Sequence, residues 1–145
     1  MKQGSIRQNY LYHPDNIYIS QDVERSLFGS VTNDCIIGRG TTFGEKVHLI
    51  KSIIGSDCKI GKNSILENCI IWDNVTIGEN CKIEGALICF GAIVGDYGLI
   101  EKGSVLSYGV ELVKETLIKK FLVVSCMKNE TERVEYHTFK KVIRF

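Results

Sequence analysis

Six cysteines, three histidines and a series of evenly placed glutamates are the residues with which this chain of 145 could do chemistry. Cysteine thiolates would hold zinc or exchange disulfides. No Cys-x-x-Cys pair occurs, and the smallest gap is Cys81 to Cys89, whereas paired zinc ligands sit about two to four residues apart. Nothing marks the chain as secreted, so disulfides are not expected either. No metal and no cofactor are therefore expected. Phosphate-binding loops, nucleophile elbows and dinucleotide fingerprints are absent from the sequence. The recurring glycines are not followed by helical patterns, as a phosphate cradle requires.

Those residues have to be placed by something, and composition narrows what. The 18 Lys+Arg nearly balance 17 Asp+Glu, for a net charge of +1, and 44% of residues are hydrophobic. Disorder is disfavoured by that apolar content and low net charge. A strongly basic nucleic-acid binder is excluded as a description of the whole chain, and no direct nucleic-acid contact is expected. No apolar stretch approaches the ~18 residues of a membrane helix, and the opening MKQGSIRQNYLYHPDN has no signal-peptide core. A cytoplasmic protein is the expectation.

The positioning element is a repeat. Large apolar residues followed by glycine recur at Ile37-Gly38, Phe43-Gly44, Ile54-Gly55, Ile60-Gly61, Ile77-Gly78 and Val94-Gly95. With Leu49, Leu66, Ile71, Ile83, Ile88, Ile100 and Leu106 between and after them, the steps from Ile37 run 6, 6, 5, 6, 6, 5, 6, 6, 5, 6, 6, 6. Three steps make a unit of 17 (Ile37, Ile54, Ile71, Ile88), which lengthens to 18 at Leu106 and Val124. Neither the helical nor the strand period accounts for this, whereas the hexapeptide β-helix does. Each hexapeptide makes a short strand and a turn, and three make a triangular coil. The predicted fold is all-β: a prism of about five to six coils over 31–125, between an N-terminal flank (1–30) and a C-terminal extension or cap (126–145). Small residues four places after each aliphatic point to the axis, among them Cys35, Thr41, Cys58, Ser64, Cys81 and Ala92, with Cys69 inward on a five-residue side. Four cysteines thus read as core packing, while Cys89 and Cys126 have no assigned role. Glycine after the aliphatic residue is expected to serve a corner of unusual φ/ψ.

Outward positions supply the candidate sites. Glu45, Lys62 and Glu79 alternate in sign up one column, which is ordinary complementarity. Glu67, Glu84 and Glu101 stack like charges at strand spacing; they form either a hydrated edge or a docking strip for a basic partner. Trp72, Phe90 and Tyr108 are large aromatics in outward registers on one face, read either as a protein interface or as cover for a flanking segment. His48 is the histidine within the coils. It is expected at an outward turn, without the long neighbouring insertion that a hexapeptide acyltransferase uses around its histidine base. The C-terminal part is basic, with eight Lys+Arg against four Asp+Glu from Lys114 on. Its last segment, YHTFKKVIRF, reads as a strand or covering extension that caps the open end; contact of nucleic acid with Lys140, Lys141 and Arg144 is the other reading. The stretch LVKETLIKKFLV (112–123) lacks turn glycines and leaves the last coil open.

The segments NIYISQDV (16–23), IIGRGTTFG (36–44), IKSIIGSDCKIGKNSIL (50–66), IIWDNVTIGENCKI (70–83), LIC (87–89) and GSVLS (103–107) together resemble one family. It is the left-handed β-helix domain of the epsilon subunit of eukaryotic translation initiation factor 2B, the guanine-nucleotide exchange factor for initiation factor 2. The resemblance covers roughly residues 16–124. Its discriminating parts are the NIY opening, Trp72 and the ungapped run into GSVLS. The gamma subunit and the GDP-mannose pyrophosphorylases share the architecture. The resemblance implies left-handed coiling and partners among the exchange-factor subunits and initiation factor 2, with no membrane. Family members also carry a nucleotidyltransferase-like domain upstream and a helical-repeat exchange domain downstream. Neither has a motif here, so the chain is expected to be a middle segment or reduced version without exchange activity. The alternative from another class is an acyltransferase using His48.

Overall fold

The structure, a computed structural model, describes residues 10–23, 31–128, 134–138 and 142–143. Strands are its only regular elements among the described residues, and their order in space shows why the repeat has three steps. One face of the prism stacks β2 (Ile17–Ser20), β3 (Ile36–Ile37), β6 (Ile53–Ile54), β9 (Ile70–Ile71), β12 (Leu87–Ile88), β15 (Val105–Leu106) and β18 (Val123–Lys128), all parallel. The second face stacks β4 (Thr42–Phe43), β7 (Lys59–Ile60), β10 (Thr76–Ile77), β13 (Ile93–Val94) and β16 (Glu111–Leu112). The third stacks β5 (His48–Ile50), β8 (Ile65–Glu67), β11 (Lys82–Glu84), β14 (Leu99–Ile100) and β17 (Leu117–Ile118). Parallel stacking takes in Ile17–Ser20, ahead of the first phased hexapeptide. The coil around 112–123 also closes, although it has no turn glycine. At the two ends of the first face the direction reverses. There β1 (Tyr10–His13) pairs antiparallel with β2, β19 (Val134–Thr138) pairs antiparallel with β18, and β20 (Val142–Ile143) follows β19.

Each strand is too short to hold itself, so the backbone bonds run from coil to coil. Gly55 N–H donates to Ile71 O at 2.8 Å, Trp72 N–H to Ile88 O at 2.9 Å and Cys89 N–H to Leu106 O at 2.9 Å. Corner N–H groups bond the opposite way, Asp57 to Arg39 O at 2.9 Å and Asn74 to Ser56 O at 3.0 Å. The aliphatic columns fill the axis: Ile37, Leu49, Ile54, Leu66, Ile71, Ile77, Ile83, Ile88, Ile100 and Leu106 are all fully buried. Each such side chain stabilises the stack by roughly 1.5–3 kcal/mol.

The glycines after the aliphatic residues have a different reason from the expected one. None of Gly38, Gly44, Gly55, Gly61, Gly78 and Gly95 has a left-handed φ. They are glycines because the next coil lies against them: a Cβ on Gly61 would stand 2.5 Å from the carbonyl carbon of Gly78. The left-handed residue comes two places later, and it is mostly asparagine, aspartate or glycine, as at Asp57 (φ 57°), Asn63 (φ 59°), Asn74 (φ 57°) and Gly91 (φ 72°). Asn and Asp tolerate that region better than other side chains. In the last coil Glu115 (φ 62°) and Phe121 (φ 59°) occupy it, which is how 112–123 turns without glycine.

The small inward residues carry hydrogen bonds that hydrophobic packing alone would not require. Thr41 Oγ1 donates to Gly55 O at 2.8 Å and accepts from Cys58 N–H at 3.2 Å. Ser64 Oγ repeats the pattern with Gly78 O at 2.8 Å and Cys81 N–H at 3.0 Å. Ser52 Oγ accepts from Cys69 N–H at 3.2 Å. The cysteines pass it on by weak thiol donation, Cys58 to Trp72 O at 3.0 Å, Cys69 to Ile83 O at 3.2 Å and Cys81 to Gly95 O at 3.2 Å. Hydroxyl and thiol therefore alternate up the inner corners and satisfy buried backbone groups between coils.

Two substitutions separate these effects. Gly61→Ala forces its methyl into the Gly78 peptide and is expected to cost about 1–3 kcal/mol in urea unfolding, whereas Gly91→Asn, with open space around the Cβ position, costs less than about 1 kcal/mol. Ser64→Ala strands the buried N–H of Cys81 and removes the hydroxyl bond to Gly78 O, and the expected loss by the same measurement is about 1–3 kcal/mol.

Candidate interaction surface

The axial cysteines are not a reactive site. Burial pushes the thiols of Cys35, Cys58, Cys69 and Cys81 up from their ordinary value, which suppresses the thiolate that metals and electrophiles need. Cys89, half-buried at a corner, is shifted the same way by the same cause. The side chain of Cys126 lies outside those described. Among the described residues, no group of three or more His, Cys, Asp and Glu is placed to hold a metal.

His48 stands on strand β5, not at a turn as expected, because the corner residue is Lys46 (φ 57°). Its N–H donates to Ser64 O at 3.0 Å, and its side chain is exposed on the third face. A depression of about 310 Å³ lies higher on that face and is lined by Lys82, Glu84, Leu99, Ile100, Glu101, Lys102 and Lys120. Lys140, Lys141 and Arg144 lie outside the described residues.

The glutamate column is as regular as its spacing predicts. Glu67 and Glu84 are register partners on β8 and β11, and Glu101 follows β14. Glu101 accepts the N–H of Lys120 at 3.1 Å, which ties its carboxylate to the next coil. Lys62 and Glu79 approach to 4.0 Å on the second corner; with both exposed, the pair adds little.

The aromatic residues gather at the corner between the first and second faces. Trp72 is 54% exposed, Phe90 39% and Tyr108 71%. Trp72 stands in the column of Gly38 and Gly55, while Phe90 and Tyr108 stand in the next column and stack at 5.6 Å with their planes 5° apart. The corner shape explains the pair. Cys89 O accepts from Ala92 N–H and Ser107 O from Val110 N–H, both at 3.3 Å, with Gly91 (φ 72°) and Gly109 (φ 67°) third in each turn. Phe90 and Tyr108 thus occupy the second position of two stacked turns closed by glycine.

Beside this corner lies a feature that the aliphatic count passed over. The outward column of the first face reads Tyr18, Ile36, Ile53, Ile70, Leu87, Val105 and Val123, each the register partner of the next. Tyr18, Ile36, Ile53 and Ile70 are each exposed, and Tyr12 packs on Tyr18 at 5.2 Å from the antiparallel β1. The corresponding column of the second face is Thr42, Lys59, Thr76, Ile93 and Glu111, and that of the third is His48, Ile65, Lys82, Leu99 and Leu117, so both mix apolar with charged or polar residues. A contiguous uncharged stripe of this length is unusual on a solvated surface. Its sequence signal is the doubling of the core residue, Ile36-Ile37, Ile53-Ile54, Ile70-Ile71, Leu87-Ile88.

The geometry therefore offers an apolar face and an aromatic corner suited to protein contact. Among the described residues, no helix is long and apolar enough to cross a membrane. No curated protein matches the sequence. Among solved structures, the chain is similar to a hexapeptide transferase family protein from Anaplasma phagocytophilum, with 20% identity over 87% of this chain and 88% of that one, at a TM-score of 0.44. It is also similar to the acetyltransferase domain of PglB from Neisseria gonorrhoeae, with 13% identity over 77% of this chain and 55% of that one, at a TM-score of 0.35. Likeness at that level says nothing of activity. A family model, EIF2B subunit epsilon LbH domain, matches residues 14–118. That span runs from the first parallel strand to β17, nearly the whole left-handed parallel β-helix described above, and the chain accordingly belongs to the EIF2B subunit epsilon LbH domain family.

Proposed function

We propose that the chain is a non-catalytic interaction module of a translation-initiation guanine-nucleotide exchange factor, epsilon-like, that serves subunit assembly and docking of initiation factor 2 in the cytoplasm. The observation that carries the reading is the uncharged outward column from Tyr18 to Val123 beside the exposed rings of Trp72, Phe90 and Tyr108. A rigid prism holds such a face flat, so contact loses little conformational freedom. Family membership supports the choice of partners. The glutamate column Glu67, Glu84 and Glu101 offers a second, acidic contact for a basic partner, which steers approach more than it adds affinity. Residues 31–125 are the working prism in this reading, and 1–30 and 126–145 flank and cap it. The chain alone has no exchange activity.

Ile53→Lys and Phe90→Ser change exposed side chains, and each is expected to weaken capture of purified exchange-factor subunits by at least about tenfold, with the circular dichroism and melting temperature unchanged. Capture equal to that of the unaltered chain would count against the reading. Acetyl transfer that disappears in His48→Ala would replace it with the acyltransferase alternative.

A further inference from the structure

We infer that the apolar first face takes a second copy of this chain, the two prisms lying face to face about a twofold axis parallel to their own length. The inference rests on the docking reading above and names an occupant for that face. No charge stands in the outward column, so what selects the occupant has to lie at its two edges. Asp34 stands at one edge, level with Ile36, and Arg39 stands at the opposite edge of the same rung. Asn16 and Asn33 hold the exposed Asp34 carboxylate in place with bonds of 3.0 and 2.9 Å. The next rung has Lys51 and Ser56 at its edges, the one above it Asn68 and Asp73, and the one after that Gly85 and Phe90; the Asp73 carboxylate accepts the N–H of Ser56 at 2.8 Å.

A twofold axis along the prism sets each edge of one copy against the other edge of its mate at equal height. Asp34 then meets Arg39 of the second copy, and symmetry makes the pair twice. Lys51 meets Ser56, the Asp73 oxygen not bonded to Ser56 N–H meets the Asn68 amide, and the Phe90 ring meets a corner residue that has no side chain. The inverted arrangement sets Asp73 against Asp73 at mid-height, a like-charge contact. Because both faces repeat at the same interval, side chains that fit at one rung fit at all. The seven rungs are about 29 Å tall and about 16 Å across, and two such faces bury about 900 Å² in total. That area lies at the low end for specific association and fits a weak, reversible dimer.

Sedimentation velocity on the 145-residue chain up to about 200 µM tests this, with a dimer expected to dissociate at about 10–100 µM. Ile70→Lys is expected to leave a folded monomer, and Ile53→Lys serves as a second variant of the same column. Asp34→Arg and Arg39→Asp are each expected to weaken the dimer by about tenfold, and the double swap to restore it. A chain monomeric throughout, an Ile70→Lys variant that still dimerises, or a double swap without restoration overturns the inference. If the chain is monomeric but Ile70→Lys loses exchange-factor capture, the docking reading stands and the dimer falls. Loss of the dimer with capture unchanged has the opposite meaning.

Discussion

Everything in this prism depends on one distance, the spacing at which one coil hydrogen-bonds to the next. Strands two or three residues long have no independent stability, so the backbone ladders between coils set the geometry to which every side chain answers. That spacing leaves no room for a Cβ at Gly38, Gly55, Gly61 or Gly78, where the peptide of the next coil lies under 3 Å from the place it would take. It also brings equivalent residues into columns, so that any choice made in one coil is repeated or opposed by its neighbours. Glu67 above Ile50 is inconsequential; Glu67, Glu84 and Glu101 in succession make a surface property.

The same spacing explains the cysteines. Three faces converging on a narrow axis accept only small side chains, but they also leave corner carbonyls and N–H groups inside. Serine, threonine and cysteine fit the space and supply a hydrogen atom, and the hydroxyls accept one too. Thr41, Cys58 and the carbonyl of Trp72 form one such chain across three coils. Alanine and valine take the positions where packing alone is asked, at Val47, Val75, Ala86, Ala92 and Val110, while Ser104 high in the stack again donates, to Lys119 O at 2.9 Å. Residue types that suggest redox or metal chemistry in another setting are part of the scaffold here.

Two kinds of outward surface result. The second face carries Thr42, Lys59, Thr76, Ile93 and Glu111 outward and the third His48, Ile65, Lys82, Leu99 and Leu117, so each interrupts its apolar residues with charged or polar ones. The first face stays aliphatic on both sides of its strands from β3 to β18, and the corner beside it gathers the large rings. Parallel strands buried on both faces read as continuous hydrophobic pairs, and this face has that pattern while one side is open. Such an open apolar face is what the proposed contact with a partner would use.

The sequence by itself determined the number of residues per coil, the inward columns and the five-residue sides, because these follow from a period that survives without three-dimensional information; the family showed only as a resemblance of particular segments. It also made Trp72, Phe90, Tyr108 and the three glutamates visible as outward residues. Only the tertiary structure decided why the corner glycines are glycines, since the clash is with a residue 17 to 19 positions away and not with the chain's own φ/ψ. It moved His48 from a turn to a strand, closed the coil at 112–123 through Glu115 and Phe121, and joined Phe90 to Tyr108 through stacked turns. It also set the outward neighbours of the phased core residues, Ile36, Ile53, Ile70 and Leu87, in register on one face, because only the stacking of coils brings together residues 17 positions apart.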